Sequence, residues 1–205
     1  MKLKPEQRRA KVIKESLSFV VEVRDKKGRV LQRIAAPSRS FVEQWNKIVC
    51  LQAKTTDGYT IAVKDTAGVI QNGYSTSRSL RADAGDGVID HGIRIGKGTT
   101  SVAIDDYALE TPCGEGAGAD QFEHQVMQFT APAVAGSTCS FDVKRVMLNN
   151  SGATITGIKE IACYIQFTAA ATGKKALGFR DVLPASVYCP DGGTITVIYT
   201  IKATV

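Results

Sequence analysis

The last twelve residues limit the fold of this chain more than any other stretch. Ile195, Val197, Tyr199, Ile201, Ala203 and Val205 alternate with Thr194, Thr196, Thr200, Lys202 and Thr204, and Ile198 is the one departure. Successive side chains of an extended chain point to opposite faces, so the pattern sets one apolar and one polar face. The residues are largely β-branched, which suits a pleated surface buried on one side. The rest of the fold must give this strand neighbours and a layer over its apolar face.

The same period recurs upstream. Leu17, Phe19, Val21 and Val23 alternate with Ser18, Glu22 and Arg24; Asp25-Lys26-Lys27-Gly28 turns, and Val30 to Ile34 returns as a hairpin closed by Pro37. Tyr59 to Lys64 reads as a strand before a turn at Asp65–Gly68, and Gly92 to Ile95 as another. Phe122 to Thr130 reads as one strand. Phe141 to Leu148, the turn Asn149–Gly152 and residues 154–167 read as a second hairpin of two long strands. Within it the apolar phase slips at Gly157, the mark of a β-bulge. Ala169 to Lys175 reads as a loop tip, Ala176 to Leu183 as a strand ended by Pro184, and Pro190–Gly193 as a turn.

One segment has helical spacing. Phe41, Val42, Trp45, Ile48 and Val49 predict a helix over 41–54, and Ser40-Phe41-Val42-Glu43 has the spacing of a capping box. Trp45, the only tryptophan, is expected to anchor that helix on the sheet. Asp57-Gly58 ends the helical region, and residues 71–87 lack periodicity and read as a long loop. The fold class is mainly β: an antiparallel β-sandwich of about nine or ten strands, with one helix and a basic N-terminal arm. The parts are an arm over 1–15, a hairpin–helix–strand part over 16–70 and a main sandwich over 88–205, or a single domain over 16–205.

Charge separates the arm from the rest. The chain carries a formal +6, and residues 1–14 hold six basic residues against Glu6, a net +5. Such an arm can bind nucleic acid or an acidic protein surface, or serve as a solvated or partner-docked terminus. No apolar run approaches the ~20 residues of a membrane helix, and no apolar signal core opens the chain, so neither a membrane nor Sec-type secretion is expected. Five cysteines, Cys50, Cys113, Cys139, Cys163 and Cys189, are odd in number, widely spaced and without CxxC. That predicts neither a zinc site nor a disulfide framework, and fits a reducing compartment. Cys139 and Cys163 are expected as small buried hydrophobes in strands.

The stretch from His91 to Gln125 invites a chemical reading. Gly96-Lys97-Gly98-Thr99-Thr100 fails as a phosphate loop because Lys97 precedes the second glycine and no helix pattern follows. It fails as a dinucleotide loop because position 101 is Ser101. It reads instead as a tight strand exit using glycines at positive φ. His91, Asp90 and Cys113 compose a catalytic set only on paper, and His91 and His124 are expected in cross-strand packing. Asp105-Asp106 reads as a loop cap before Tyr107, and Asp83, Asp86 and Asp90 lack the spacing of a calcium loop. The glycines at 114–118 are expected to loosen the loop. No catalytic, cofactor-binding or metal-ligating residue is assigned, no cofactor is implied, and the chain is expected not to be an enzyme.

The order of motifs over 91–205 resembles a group of small tailed-bacteriophage virion proteins, the minor tail or tail-associated proteins. The carriers are G-x-G-T-T at Gly96–Thr100, D-Y-x-L at Asp106–Leu109 and a strand resembling Phe122-Glu123-His124-Gln125. They continue with N-x-S-G-x-x-I-T at Asn149–Thr156, E-I-x-x-Y at Glu160–Tyr164, R-D-V-L at Arg180–Leu183 and a closing strand over Pro190–Ile201. Residues 1–70 carry no such likeness. The resemblance implies a structural role in a virion, made in the host cytoplasm, at the tail or neck. It implies partners that are copies of itself and other virion proteins, and it implies no catalytic residues. The alternatives are a capsid decoration protein on the head surface, a receptor- or carbohydrate-binding β-sandwich, or nucleic-acid contact through the arm.

Overall fold

The computed structural model describes residues 14–38, 40–53, 60–74, 80–169 and 172–205. The expected basic arm and the Asp57-Gly58 turn lie outside them. Thirteen strands and one helix are present among the described residues. They are β1 (Lys14–Arg24), β2 (Val30–Ser38), α1 (Glu43–Ala53), β3 (Ile61–Lys64), β4 (Ile70–Tyr74), β5 (Gly92–Gly96) and β6 (Gly114–Glu115). Then follow β7 (Gln121–His124), β8 (Gln128–Phe129), β9 (Ala133–Ala135), β10 (Thr138–Leu148), β11 (Ile155–Ala169), β12 (Thr172–Cys189) and β13 (Thr194–Thr204).

Two sheets form a sandwich. One has the order β2-β1-β13-β10-β7-β6, with β8 and β9 also on β10; the other has the order β12-β11-β4-β3, with β5 also on β11. Pairing is antiparallel except between β6 and β7. The closing strand β13 is central, flanked along its length by β1 and β10. Ile195, Val197 and Tyr199 are fully buried, and they meet Val21, Val23 and Met147 of their own sheet and Ile158, Ile161 and Phe167 of the other in one core. The burial of so many large apolar side chains, each worth about 1.5–3 kcal/mol, is what holds the layers together.

β11 is buried on both faces. Ile161, Cys163, Ile165 and Phe167 face the sandwich core, while Ala162 and Tyr164 sit in a second cluster with Val42, Leu109 and Leu177. Its pairing with β12 slips around Gly157, which has φ 76°, so the predicted bulge is present. α1 packs into the main core through Trp45, Ile48 and Leu51, and Trp45 lies against Phe41 and Phe179 at ring-centroid distances of 5.1 and 5.7 Å. Val49, expected on the buried face, is exposed.

Several local expectations are corrected. No capping box forms: Ser40 Oγ bonds Ser38 Oγ at 2.8 Å, and the Glu43 carboxylate accepts from Gln44 and Lys47. The reason is that residues 40–42 are held on the edge of β12, with Phe41 bridged to Phe179 and the Val42 amide donating to Gly178 O. Pro37 does not end its strand but pairs with Ser18, which an outer strand tolerates. Pro184 does not end β12; it sits in an irregular stretch between the pairs Glu160–Val182 and Ile158–Val187, where no ladder bond is needed from it. Residues 70–74 form β4 on β3, so the long loop begins later than expected, and the expected tip at 169–175 is mostly strand, paired as far as Ala169–Thr172.

The largest correction concerns the second hairpin. β10 and β11 do not pair; they lie in different sheets. Asn149 is buried at the crossing and donates from its side-chain amide to Ala153 O and Cys189 O, both at 2.8 Å, which directs the chain from one sheet to the other. The expected strand 122–130 is likewise broken into β7 and β8. Between them the Met127 amide donates to Ala84 O, and Arg145 donates to Gln125 O. Cys139 is exposed rather than buried, while Cys163 is buried as expected. No helix among the described residues is long and apolar enough to cross a membrane.

Candidate functional site

β5 is buried throughout and leaves the sheet at Gly96. The chain returns beside its own exit: the Lys97 amide donates to Thr111 O at 2.8 Å, Gly96 bridges Pro112, and the Cys113 amide donates to Ile95 O at 3.0 Å. Residues 97–111 are thus a compact loop with joined ends. Leu109 and Val102 of this loop cover Ala162, Tyr164 and Leu177 on the outer face of β11 and β12.

The loop is anchored by a buried carboxylate. Glu160 is fully buried on β11. Its Oε1 accepts from the amides of Gly98 at 2.9 Å and Thr111 at 2.8 Å, and its Oε2 accepts from the amide of Glu110 at 3.1 Å and from Arg180 Nε at 3.0 Å. Arg180 extends the anchor, donating to Asp106 Oδ2 at 2.9 Å and to Thr100 O at 3.1 Å. The Leu109 amide donates to Tyr164 Oη at 2.8 Å, and Glu110 Oε2 accepts the amides of Thr99 and Thr100 at 2.7 and 2.9 Å. Those hydrogen bonds, with the Thr100 side chain first among them, hold the Glu110 carboxyl below its ordinary range.

The Gly-x-Gly-Thr-Thr segment is therefore an anion cradle whose anion is the chain's own. Converging amides favour a negative oxygen, as in a phosphate loop, but here glutamates fill the position. The two glycines are not required for positive φ, contrary to expectation. A Cβ on Gly96 would stand 2.5 Å from Glu160 Oε1 and 2.6 Å from Thr111 O, and one on Gly98 would stand 2.6 Å from Glu160 Oε1. They are there because the backbone must approach the carboxylate. Asp106 acts as the expected loop cap, accepting from the Ala103 amide at 3.0 Å. The glycines of 114–118 do not loosen the chain: they wrap the Gln121 side chain, which accepts from the Gly118 amide at 2.9 Å, and Lys97 pairs with Asp120 at 2.5 Å.

A second polar cluster lies at the other side of β5. Arg145 is fully buried and donates to the carbonyls of Gln125, Ile93, Gly85 and Val88 at 2.7–3.2 Å. Arg94 donates to Ile89 O and Cys113 O. Apart from Ile93 O on β5, the acceptors of both guanidiniums are loop carbonyls that secondary structure leaves open. His124 is fully buried, with Nδ1 2.7 Å from Glu115 Oε2 and 3.0 Å from Phe122 O, two acceptors that place its proton on Nδ1. Burial and then the charge of Arg145 lower its pKa from 6.5 to about 4, against the pull of Glu115.

Of the residues composed on paper into a catalytic set, the structure brings His91 and Asp90 together. His91 Nδ1 contacts Asp90 Oδ1, and Lys175 pairs with Asp90 Oδ2 at 3.0 Å. Cys113 is buried, its thiol pushed up to about 11 by burial, the reverse of an activated nucleophile. Asp83 pairs with Arg81 at 2.8 Å, and among the described residues no group of three or more His, Cys, Asp or Glu is placed to hold a metal ion.

An open groove of about 560 Å3 runs beside the anchored loop, lined by Pro37, Phe41, Ser101, Ile104, Asp181 and Pro184. Burial, with the nearby Asp181 carboxylate, pushes the Tyr199 phenol well above its ordinary value. The sequence carried one unused signal for the second cluster: Val143, Arg145 and Met147 share a phase, so Arg145 falls on a core face where only a fully hydrogen-bonded guanidinium can stay. Comparison of the chain with protein-family models, with curated proteins and with solved structures finds no match.

Proposed function

We propose that this chain is a structural component of a tailed-phage virion, a tail- or neck-associated protein that assembles as a homo-oligomer. One observation carries the reading. The motifs that resemble minor tail proteins come from separate parts of the chain and meet in one lock. Gly98, Thr99 and Thr100 hold glutamates, Asp106 and Leu109 reach Arg180 and Tyr164, and Glu160 joins them at the centre. Motifs used in this way specify an architecture and not a reaction, which fits a building block.

The test is the mass of the purified protein by sedimentation or light scattering, with labelling of the protein in particle images. A discrete homo-oligomer located on the tail or neck is the expected result. A stable monomer with no particle association overturns the proposal, and labelling on the head surface replaces it with a capsid decoration role.

A further inference from the structure

The core face of the larger sheet continues past the point where anything described covers it. Directly paired residues share a face, so Val134, Cys139 and Ala203 extend the face that carries Val143 and Tyr199 lower down. Val134 is 76% exposed, Val205 52% and Phe129 48%, and Cys139 and Ala203 are exposed as well. No charged residue occurs from Gln125 to Phe141.

The edge beside this patch is also open. β9 and β10 join through Gly136-Ser137, with Gly136 at φ 58°, the two-residue hairpin that a glycine at the first turn position favours. In such a hairpin Ala135 and Thr138 exchange the backbone bonds next to the turn, so the following pair, Val134 and Cys139, does not. The N–H and C=O of Val134 therefore point away from β10, and β9 pairs only with β10 among the described residues.

The edges at β2, β12 and β3 are guarded. β2 carries Arg33 and Pro37, and its Gln32 side chain accepts from the Tyr188 amide at 2.9 Å. The β12 edge is covered by residues 40–42 and by Thr66, whose amide donates to Lys175 O, and the end of β3 is capped by Gln44, which accepts the Lys64 amide at 2.9 Å. Native proteins protect exposed edges with charge, proline or cover. Among the described residues, β9 itself has no charge, no proline and no cover; Pro132 stands just before it and leaves Val134 as the outward position with both an N–H and a C=O.

We infer that β9 is a self-association edge, where two copies pair β9 with β9 antiparallel about a two-fold axis through Val134. This rests on the homo-oligomer reading above and names its contact. An antiparallel pair of identical strands is self-complementary, so one outward N–H and one outward C=O on Val134 are both satisfied by the same residue of the second copy. The apolar face of one copy then continues into that of the other. The basic arm, with its net +5, is a poor complement to an uncharged patch.

The experiment uses the full chain with Cys50→Ser and Cys139→Ser as background. Directly opposed Cα atoms in an antiparallel pair lie about 5.5 Å apart, within the reach of a disulfide. Val134→Cys is expected to give a disulfide-linked dimer under mild oxidation, while Val30→Cys on the β2 edge does not. Val134→Glu, a change at an exposed position, is expected to lower the assembly's mass at least two-fold with an unchanged circular dichroism spectrum. An oligomer that keeps its mass in Val134→Glu and gives no cross-link in Val134→Cys overturns this contact and leaves the homo-oligomer standing. A monomeric parent protein overturns both. A cross-link within one chain in the double variant Lys4→Cys, Val134→Cys assigns the patch to the arm and overturns the contact.

Discussion

At the scale of single residues, Glu160 and His124 decide most. Glu160 accepts from three loop amides and one guanidinium while fully buried. Removing one partner of such a pair leaves a buried charge, at a cost of about 3–5 kcal/mol. Glu160→Ala is therefore expected to lower the unfolding free energy from urea titration by that amount, and Glu160→Gln by less, since it keeps one acceptor but turns an N–H2 toward donors. His124 links the fold to pH. The unfolded side chain takes a proton near pH 6.5, and the folded one only near 4. Between those values the unfolded state binds more protons, so stability falls as pH drops from 6.5 toward 4, by roughly 3 kcal/mol in all. Thermal melts across this window are expected to slope downward on acidification, and His124→Gln to flatten that slope.

At the scale of elements, the loop 97–111 behaves as a strap tied over β11 and β12. Its apolar contacts are few, Val102 and Leu109 among them, so its hold comes from hydrogen bonds. Tyr164→Phe removes the acceptor of the Leu109 amide and is expected to cost about 1–2 kcal/mol. Amide exchange measured by NMR should speed up at Leu109 and stay slow at Ile161 and Ile195 if the strap opens before the sheets do. Uniform acceleration across all three amides would mean that strap and sheets open together. The elements with strict period two, β1 and β13, were legible along almost their whole length because burial on one face enforces the alternation. The prolines misled: a ring without N–H ends a strand only where the ladder needs that N–H, and neither Pro37 nor Pro184 is at such a place.

At the scale of the molecule, an assembling protein gains stability by mass action. If the homo-oligomer reading holds, the melting temperature should rise with protein concentration, as association stabilises the folded state alone. A melting temperature constant over a wide range of concentration would count against it. At one end of the larger sheet Val134 and Val205 stand exposed among the described residues.

The chain's own residues determined the β class, the helix α1, the β1–β2 turn at Asp25–Gly28 and the bulge at Gly157, because each follows from period, turn chemistry or phase within a few positions. They also ruled out a phosphate loop at Gly96–Thr100, one residue at a time. Only the tertiary structure decided that β10 and β11 belong to different sheets. A turn of Asn, Ser and Gly serves a hairpin or a crossing equally well, and the buried bonds of Asn149 to Ala153 and Cys189 choose between them. The same holds for the candidate site. Gly98, Asp106, Glu160 and Arg180 are scattered along the sequence, and a carboxylate's partners are set by which strands become neighbours. Local pattern reports the face a residue takes; long-range pairing alone reports what that face meets.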